Sequence, residues 1–360
     1  MRTGWSIAAL LAAGCTFGST AGGGGGDGDD EGSGTASTTA TSAATMPMTS
    51  AATTTGSGDS GATTTPADGT TTSGEETTGT DDSGSDTGQP RLPMGPFDAG
   101  QPLTPLNDPD ADEDDPTLRG DLLEIVFNTT RDGTPDLYVS TRATDTDDWP
   151  APVPIVELND AAYTETTPEL SLDGLTMLFA SDRPPSASAD IWITTRSAVD
   201  QPWNPPVHLP ALSSDRLDFA PTVVDDQTMF LCSDRDQNGA NLLDVWTVDG
   251  YDLVTPTFGA LSLSRTFTTS SDECSIAMSA DGREIFWESN RPGGMGDWDL
   301  WTATRVDTAS AWENFAPVDN VNATWQDNDP WLSPDATQLY FASGFPADHD
   351  LFVAIRQERG

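Results

Sequence analysis

Carboxylates are the residues best placed to do chemistry in this chain. Glu113, Glu165, Asp218, Glu273 and Asp327 each stand three residues before a proline or, in one case, before Ile276. Acids brought together at equivalent places raise one another's pKa or recruit a cation. The alternative is that each caps its own strand turn or pairs with a nearby arginine such as Arg183 or Arg235. A second acidic group, Asp108, Asp110, Asp112 and Asp114, alternates in the manner of a calcium loop. It has no glycine at the sixth position, and Arg119 stands where a twelfth-position glutamate belongs, so it is not an EF-hand. A solvated acidic turn is the competing description.

Other chemistry is scarce. The only histidines, His208 and His349, leave little for a histidine-rich metal site or a Ser-His-Asp triad. No G-x-S-x-G elbow is present. The expectation is therefore a protein with no catalytic motif and no required cofactor, calcium being the one candidate ion. Beyond Cys15, only Cys232 and Cys274 carry thiols. They either bridge, as an oxidising compartment allows, or remain two separate buried thiols.

The elements that position these acids come from a repeat. Residues 165–196 recur, with variation, about every fifty residues, which is the mark of a repeat architecture. The skeleton reads Pro116, Phe127, Arg131, Asp136; then Pro168, Phe179, Arg183, Asp190; then Pro221, Leu231, Arg235, Asp244; then Ile276, Trp287, Arg291, Asp299; and finally Pro330, Phe341, Phe345, Asp350. Within one copy, residues 168–172 are extended, Asp173-Gly174 forms a tight turn, and 176–181 is a strand apolar on both faces. A third strand starts at Asp190, and a fourth at 203–209 carries prolines suited to an edge. A four-stranded sheet buries both faces only by stacking on others, and radial stacking makes a β-propeller.

The copies resemble the WD40-like (PD40) repeat of the TolB propeller family, D-x-x-P-x-x-S-x-D-G-x-x-L-x-F-x-S-x-R followed by an acidic-apolar-aromatic step. The resemblance covers roughly residues 97–356 and implies the fold far more than any activity. Departures occur at Ile276 for proline, at Asp121-Leu122, Asp225-Asp226 and Asp335-Ala336 for the Asp-Gly turn, and at Phe345 for arginine. TolB-like propellers bind envelope partners, but the additional α/β domain of TolB has no counterpart in these residues.

The segment 97–107 looks like the outer-strand segments 149–159, 203–212 and 312–321, while the last copy ends without one. It is expected to complete the last blade and close the ring, which pairs otherwise exposed edges. The reading is thus an all-β, five-bladed propeller of four-stranded antiparallel blades over 93–360. Its repeats lie near 113–159, 165–212, 218–263, 273–321 and 327–356, the last completed by 97–107. The aromatic series Tyr138, Trp192, Trp246, Trp301 and Phe352 is expected to pack between blades. The loops at 184–189, 236–243 and 292–298 should project from one face as candidate ligand contacts.

Residues 1–14 read as an export signal, with Arg2 before an apolar run too short to span a bilayer. Leu11-Ala-Ala-Gly-Cys15 resembles a bacterial lipobox, which would make Cys15 the lipidated N-terminus, and Thr16 favours the outer membrane, facing the periplasm or the surface. Residues 15–92 form a Gly/Ser/Thr-rich linker that cannot build a core. As a flexible chain it reaches about 45 Å, lifting the propeller from the lipid. Its Thr-rich blocks either carry O-glycans or serve as a plain spacer.

The formal charge of -43 and the complete absence of lysine exclude nucleic acid and anionic headgroups as partners of the main surface. A lipid-anchored monomer that binds a protein or polysaccharide of the envelope is the expected function. A glycan-active enzyme using channel carboxylates is the alternative, since that chemistry needs an acid and a base at a defined separation.

Overall fold

The computed structural model describes residues 94–357, less 187, 236–241 and 347. The signal at 1–14, Cys15, the linker at 15–92 and most of the 236–243 loop lie outside the described residues. A short β1 (Gln101–Pro102) precedes the first blade, which is β2 (Glu113–Leu118), β3 (Glu124–Thr129), β4 (Asp136–Thr141) and β5 (Val153–Pro154). The second blade is β6 (Glu165–Leu170), β7 (Thr176–Ser181), β8 (Asp190–Thr195) and β9 (Val207–His208). The third is β10 (Asp218–Val223), β11 (Thr228–Ser233), β12 (Asp244–Asp249) and, after a hairpin of β13 (Tyr251–Asp252) and β14 (Thr257–Phe258), β15 (Leu261–Leu263). The fourth is β16 (Glu273–Met278), β17 (Glu284–Ser289), β18 (Asp299–Thr304) and β19 (Glu313–Pro317), and the fifth β20 (Gln326–Leu332), β21 (Gln338–Phe345) and β22 (Asp348–Ile355).

Each blade is a four-stranded antiparallel sheet in chain order from the axis outwards, except that the fifth takes β1 as its outer strand. Gln101 pairs with Val353 and Pro102 with Phe352, while Asp98 and Leu103 donate their N–H groups to the carbonyls of Ile355 and Leu351, both at 2.8 Å. The ring is therefore closed by the N-terminal segment, as expected. Outer strands are shorter than the repeat suggests. In the second blade only Val207 and His208 pair, because the prolines at 202, 205 and 206 have no N–H to donate.

Packing follows the same circle. Apolar clusters join the first blade to the second (Leu137, Leu158, Phe179), the second to the third (Ile191, Leu209, Leu231) and the third to the fourth (Phe230, Phe267, Trp287). The fourth joins the fifth through Phe286 and Phe341, with Phe97 between them, and the fifth joins the first through Tyr340 and Phe127. No blade buries both its faces by itself, so each depends on its neighbours.

Two arginine series brace the blades. Arg142, Arg196, Arg305 and Arg356 close the turn of their own blade by donating Nε–H to the carbonyls of Leu122, Gly174, Gly282 and Ala336. Their guanidinium carbons lie 4.1–4.3 Å over Trp149, Trp203, Trp312 and Phe97, at distances where a cation is drawn to a ring face. Two of them also reach across blades, Arg196 to Glu124 at 2.6 Å and Arg356 to Glu284. The turns expected at Asp121-Leu122 and Asp335-Ala336 form without glycine: Leu122 and Ala336 take φ of 61° and 56°. Cys232 of β11 and Cys274 of β16 form a disulfide, with Cα atoms 5.2 Å apart, that joins the third blade to the fourth. Such a bridge belongs to an oxidising, extracytoplasmic compartment.

Candidate functional site

The five repeat acids open the innermost strands, and each is fully buried. Their contacts stay within their own blades. Glu113 accepts from Thr129 Oγ1 at 2.7 Å and from Arg131 at 2.8 Å. Glu165 does so from Ser181 and Arg183, Asp218 from Arg235, and Glu273 from Ser289 and Arg291. The second carboxylate oxygens of Glu113, Glu165, Asp218 and Glu273 accept the backbone N–H of Asp108, Asp160, Ser214 and Thr269. Each arginine is fixed in turn by the aromatic below it, since Arg131, Arg183, Arg235 and Arg291 lie over Tyr138, Trp192, Trp246 and Trp301. Burial still raises the pKa of Glu113, Glu165 and Glu273 above the usual carboxylate range. The carboxylates are thus turned into their blades rather than out to a shared mouth.

Asp327 is the exception. Phe345 stands in the arginine position, so Asp327 accepts only from Ser343 Oγ and the Ala323 N–H, both at 2.6 Å. Burial without a guanidinium pushes its pKa up to about 6.

The channel itself is lined one step further along. Asp115, Thr167, Ala220, Ser275 and Asp329 are equivalent residues, and all five take positive φ, between 38° and 57°. Each sits at a bulge where the register of the first two strands shifts. Non-glycine residues hold this conformation only where their surroundings impose it. Here the neighbouring blade supplies acceptors: the N–H of Thr167 goes to Asn128 Oδ1, of Ala220 to Thr167 Oγ1, and of Asp329 to Glu288 Oε2, each at 3.0 Å.

Chemically the two halves of the channel differ. On one side the disulfide, Ala180, Phe219 and Ala220 form an apolar cluster. On the other, the buried Asp114, Asp115 and Glu288 gather with the half-buried Asp329; desolvation raises all four pKa values, and repulsion from neighbouring acids adds to it for Asp114, Asp115 and Glu288. Ser275 Oγ lies 2.9 Å from Asp329 and 3.2 Å from Glu288.

Above this floor, at the turn end of the inner strands, opens a cavity of about 440 Å³, within the usual range for small-molecule sites. Asp115, Asp329 and Glu169 reach it, and Pro168, Pro221, Met278 and Tyr251 form part of its wall. Burial pushes Glu169 up to about 8, although its carboxylate accepts the Val223 N–H at 2.9 Å. The loops at 184–189 and 292–298 follow the opposite ends of the inner hairpins, away from this mouth.

The acidic segment before the first blade divides. The half-buried Asp108 and the exposed Asp110 form a turn in which the Asp110 N–H donates to Asp108 Oδ1 at 3.0 Å. Asp112 and Asp114 are buried against His349, a residue the repeat reading left without a role. Its register was the available signal: His349 stands where the other copies have Pro135, Ala189, Leu243 and Trp298, directly before the strand-opening aspartate. His208 pairs with Asp190 at 2.8 Å, far out on the second blade.

No family model matches the sequence, and no curated protein matches it. Solved structures resemble the fold. TolB from Acinetobacter baumannii is 18% identical with a TM-score of 0.40, over 68% of this chain and 54% of its own, so the chain spans about half that protein's length. The putative TolB from Agrobacterium tumefaciens is 16% identical with a TM-score of 0.43, over 70% and 80%. The α-L-arabinofuranosidase of Podospora anserina, solved with cellotriose, is 13% identical with a TM-score of 0.47, over 74% and 98%. These likenesses concern architecture alone.

Proposed function

We propose that this propeller is an extracytoplasmic, non-catalytic binding module, held to the outer membrane through lipid on Cys15, that takes part of an envelope protein or polymer into its central cavity. The supporting observation is the cavity itself, apolar at the wall and acidic at the floor. Such a site favours neutral hydroxyl-bearing or cationic groups and repels anionic ones. Calcium is not needed for this role. Crosslinking the tethered protein in its native envelope, alongside an Ala280→Trp variant that narrows the exposed cavity rim, tests it. A reproducible partner captured by the unaltered chain and lost in the variant is the expected result; equal capture by both would sink the cavity reading.

A second reading is favoured by one feature. At the cavity floor the contact between Asp115 and Asp329 raises the pKa of Asp115 and, as a hydrogen bond, lowers that of Asp329, and burial pushes Glu169 up to about 8 nearby. Carboxyl groups held in different protonation states are what glycosidic-bond hydrolysis requires. Release of reducing ends from envelope or plant polysaccharides, abolished in Asp115→Asn and Asp329→Asn, would replace the binding reading with this one.

A further inference from the structure

The seam where the fifth blade meets the first gathers more buried carboxyl groups than it has basic side chains to pair with them. His349 of β22 is fully buried, and Asp112 and Asp114 at the start of β2 are each 4% exposed. His349 Nδ1 lies 2.9 Å from Asp112 Oδ1 and 3.4 Å from Asp114 Oδ1. One ligand atom from each of the three falls within 4.8 Å of the others. Asp115, Glu288 and Asp329 crowd the same region, and among the described ion pairs none of these acids meets an arginine. Two further observations point to a missing ligand: Asp114 Oδ1 and His349 Nε2 are buried without a hydrogen-bond partner, as is Asn328 Oδ1, the fifth-blade equivalent of Asp114. Buried polar atoms are ordinarily satisfied by protein, water or an ion.

We propose that Asp112, Asp114 and His349 form a divalent-cation site at the closing seam of the propeller. Two carboxylate oxygens with one imidazole nitrogen suit borderline cations such as Zn²⁺ or Mn²⁺ better than Ca²⁺, which takes six to eight oxygens. The ligands come from the first and last blades, so the ion ties the ring at the junction that the N-terminal strand and the Tyr340–Phe127 packing also close. Asp108 and Asp110, on a turn of their own, take no part.

The full chain, stripped with EDTA and dialysed, is titrated by calorimetry with ZnCl₂ and separately with MnCl₂, and its thermal unfolding is followed with and without each salt. One ion per chain and a raised Tm are expected for at least one of the two. The Asp114→Asn variant should lose that rise and bind at least tenfold more weakly, while its Tm in EDTA equals or exceeds that of the unaltered chain, because a repelled buried charge has gone. Should it fail to fold, Asp112→Asn is read in the same way. An Asp108→Asn, Asp110→Asn double variant should keep the rise. No rise with either cation, a rise retained in Asp114→Asn, or a rise lost in the double variant would each overturn the assignment.

Discussion

The guanidinium of Arg356 lies 4.3 Å over the ring of Phe97, joining the end of the last strand to the segment before the first. The same stack holds Arg142 over Trp149, Arg196 over Trp203 and Arg305 over Trp312 within single blades. Phe97 thus does for the fifth blade what a local tryptophan does for three others. It is 3% exposed and meets Phe286 edge-on at 5.9 Å.

Phe97→Ala should therefore open the ring as well as leave a cavity. A loss of about 3–5 kcal/mol is expected in urea unfolding followed by circular dichroism, the range for truncating a buried aromatic. Phe97→Trp, which installs the residue found in three of the other blades, should retain most of the stability. Equal losses for both would show that the ring is not what latches the circle.

The disulfide makes a separate prediction. It closes a separation of 42 residues between the third and fourth blades, for which loop-closure entropy gives about 4 kcal/mol at 25 °C. A Cys232→Ala, Cys274→Ala double variant should unfold at correspondingly lower denaturant, and dithiothreitol should lower the Tm of the unaltered chain but not of the variant. An unchanged midpoint would mean that the unfolded chain gains little freedom when the bridge is cut.

Fold and site differed in how far they could be read from the residues. The blades were legible because proline, turn and strand recur in register, and even ring closure followed from the likeness of 97–107 to the outer segments. The five repeat acids were equally visible, yet their spacing did not reveal whether they face an axis or their own arginines. That depends on the direction of side chains such as Arg131 and Arg183, which lie over aromatics of the third strand. The channel residues were hidden for the opposite reason. Asp115, Thr167, Ala220, Ser275 and Asp329 share a backbone conformation but comprise four residue types, so a motif built on recurrence passes over them. Glu288 likewise occupies a place held elsewhere by Asn128, Ala180, Cys232 and Ala342.

Asp327 offers a test of what the repeat arginine contributes. Its pKa of about 6 lies above the ordinary 3.8, so the folded state holds the proton more tightly than the unfolded state. The resulting stabilisation is fully present below about pH 3.8 and is lost as pH rises through 6, leaving a cost of about 3 kcal/mol at pH 7. Phe345→Arg places a guanidinium where the other blades have one, and Phe345 is exposed enough to lose little packing. The variant should be more stable at pH 7, with a flatter profile between pH 4 and 7. A profile parallel to that of the unaltered chain would mean that Asp327 is already ionised without penalty.

Glu169 separates a structural carboxyl from a functional one at the cavity. Its carboxylate accepts the Val223 N–H of the next blade, and burial pushes it up to about 8. Because this pKa too is raised, the associated stability is complete below about pH 4.5 and disappears as pH passes through 8. Glu169→Gln keeps an acceptor for Val223 and carries no charge to bury. Stability at pH 4 should stay within about 0.5 kcal/mol of the unaltered chain, and the variant should be the more stable by about 2 kcal/mol at pH 6 and by more at pH 9. Partner capture at pH 6 then decides the role of the group. A neutral carboxyl that only bridges blades tolerates glutamine and capture is unchanged, whereas a carboxyl that gives its proton to a bound group does not. Loss of capture with the fold intact would place Glu169 among the contacts that recognise the ligand.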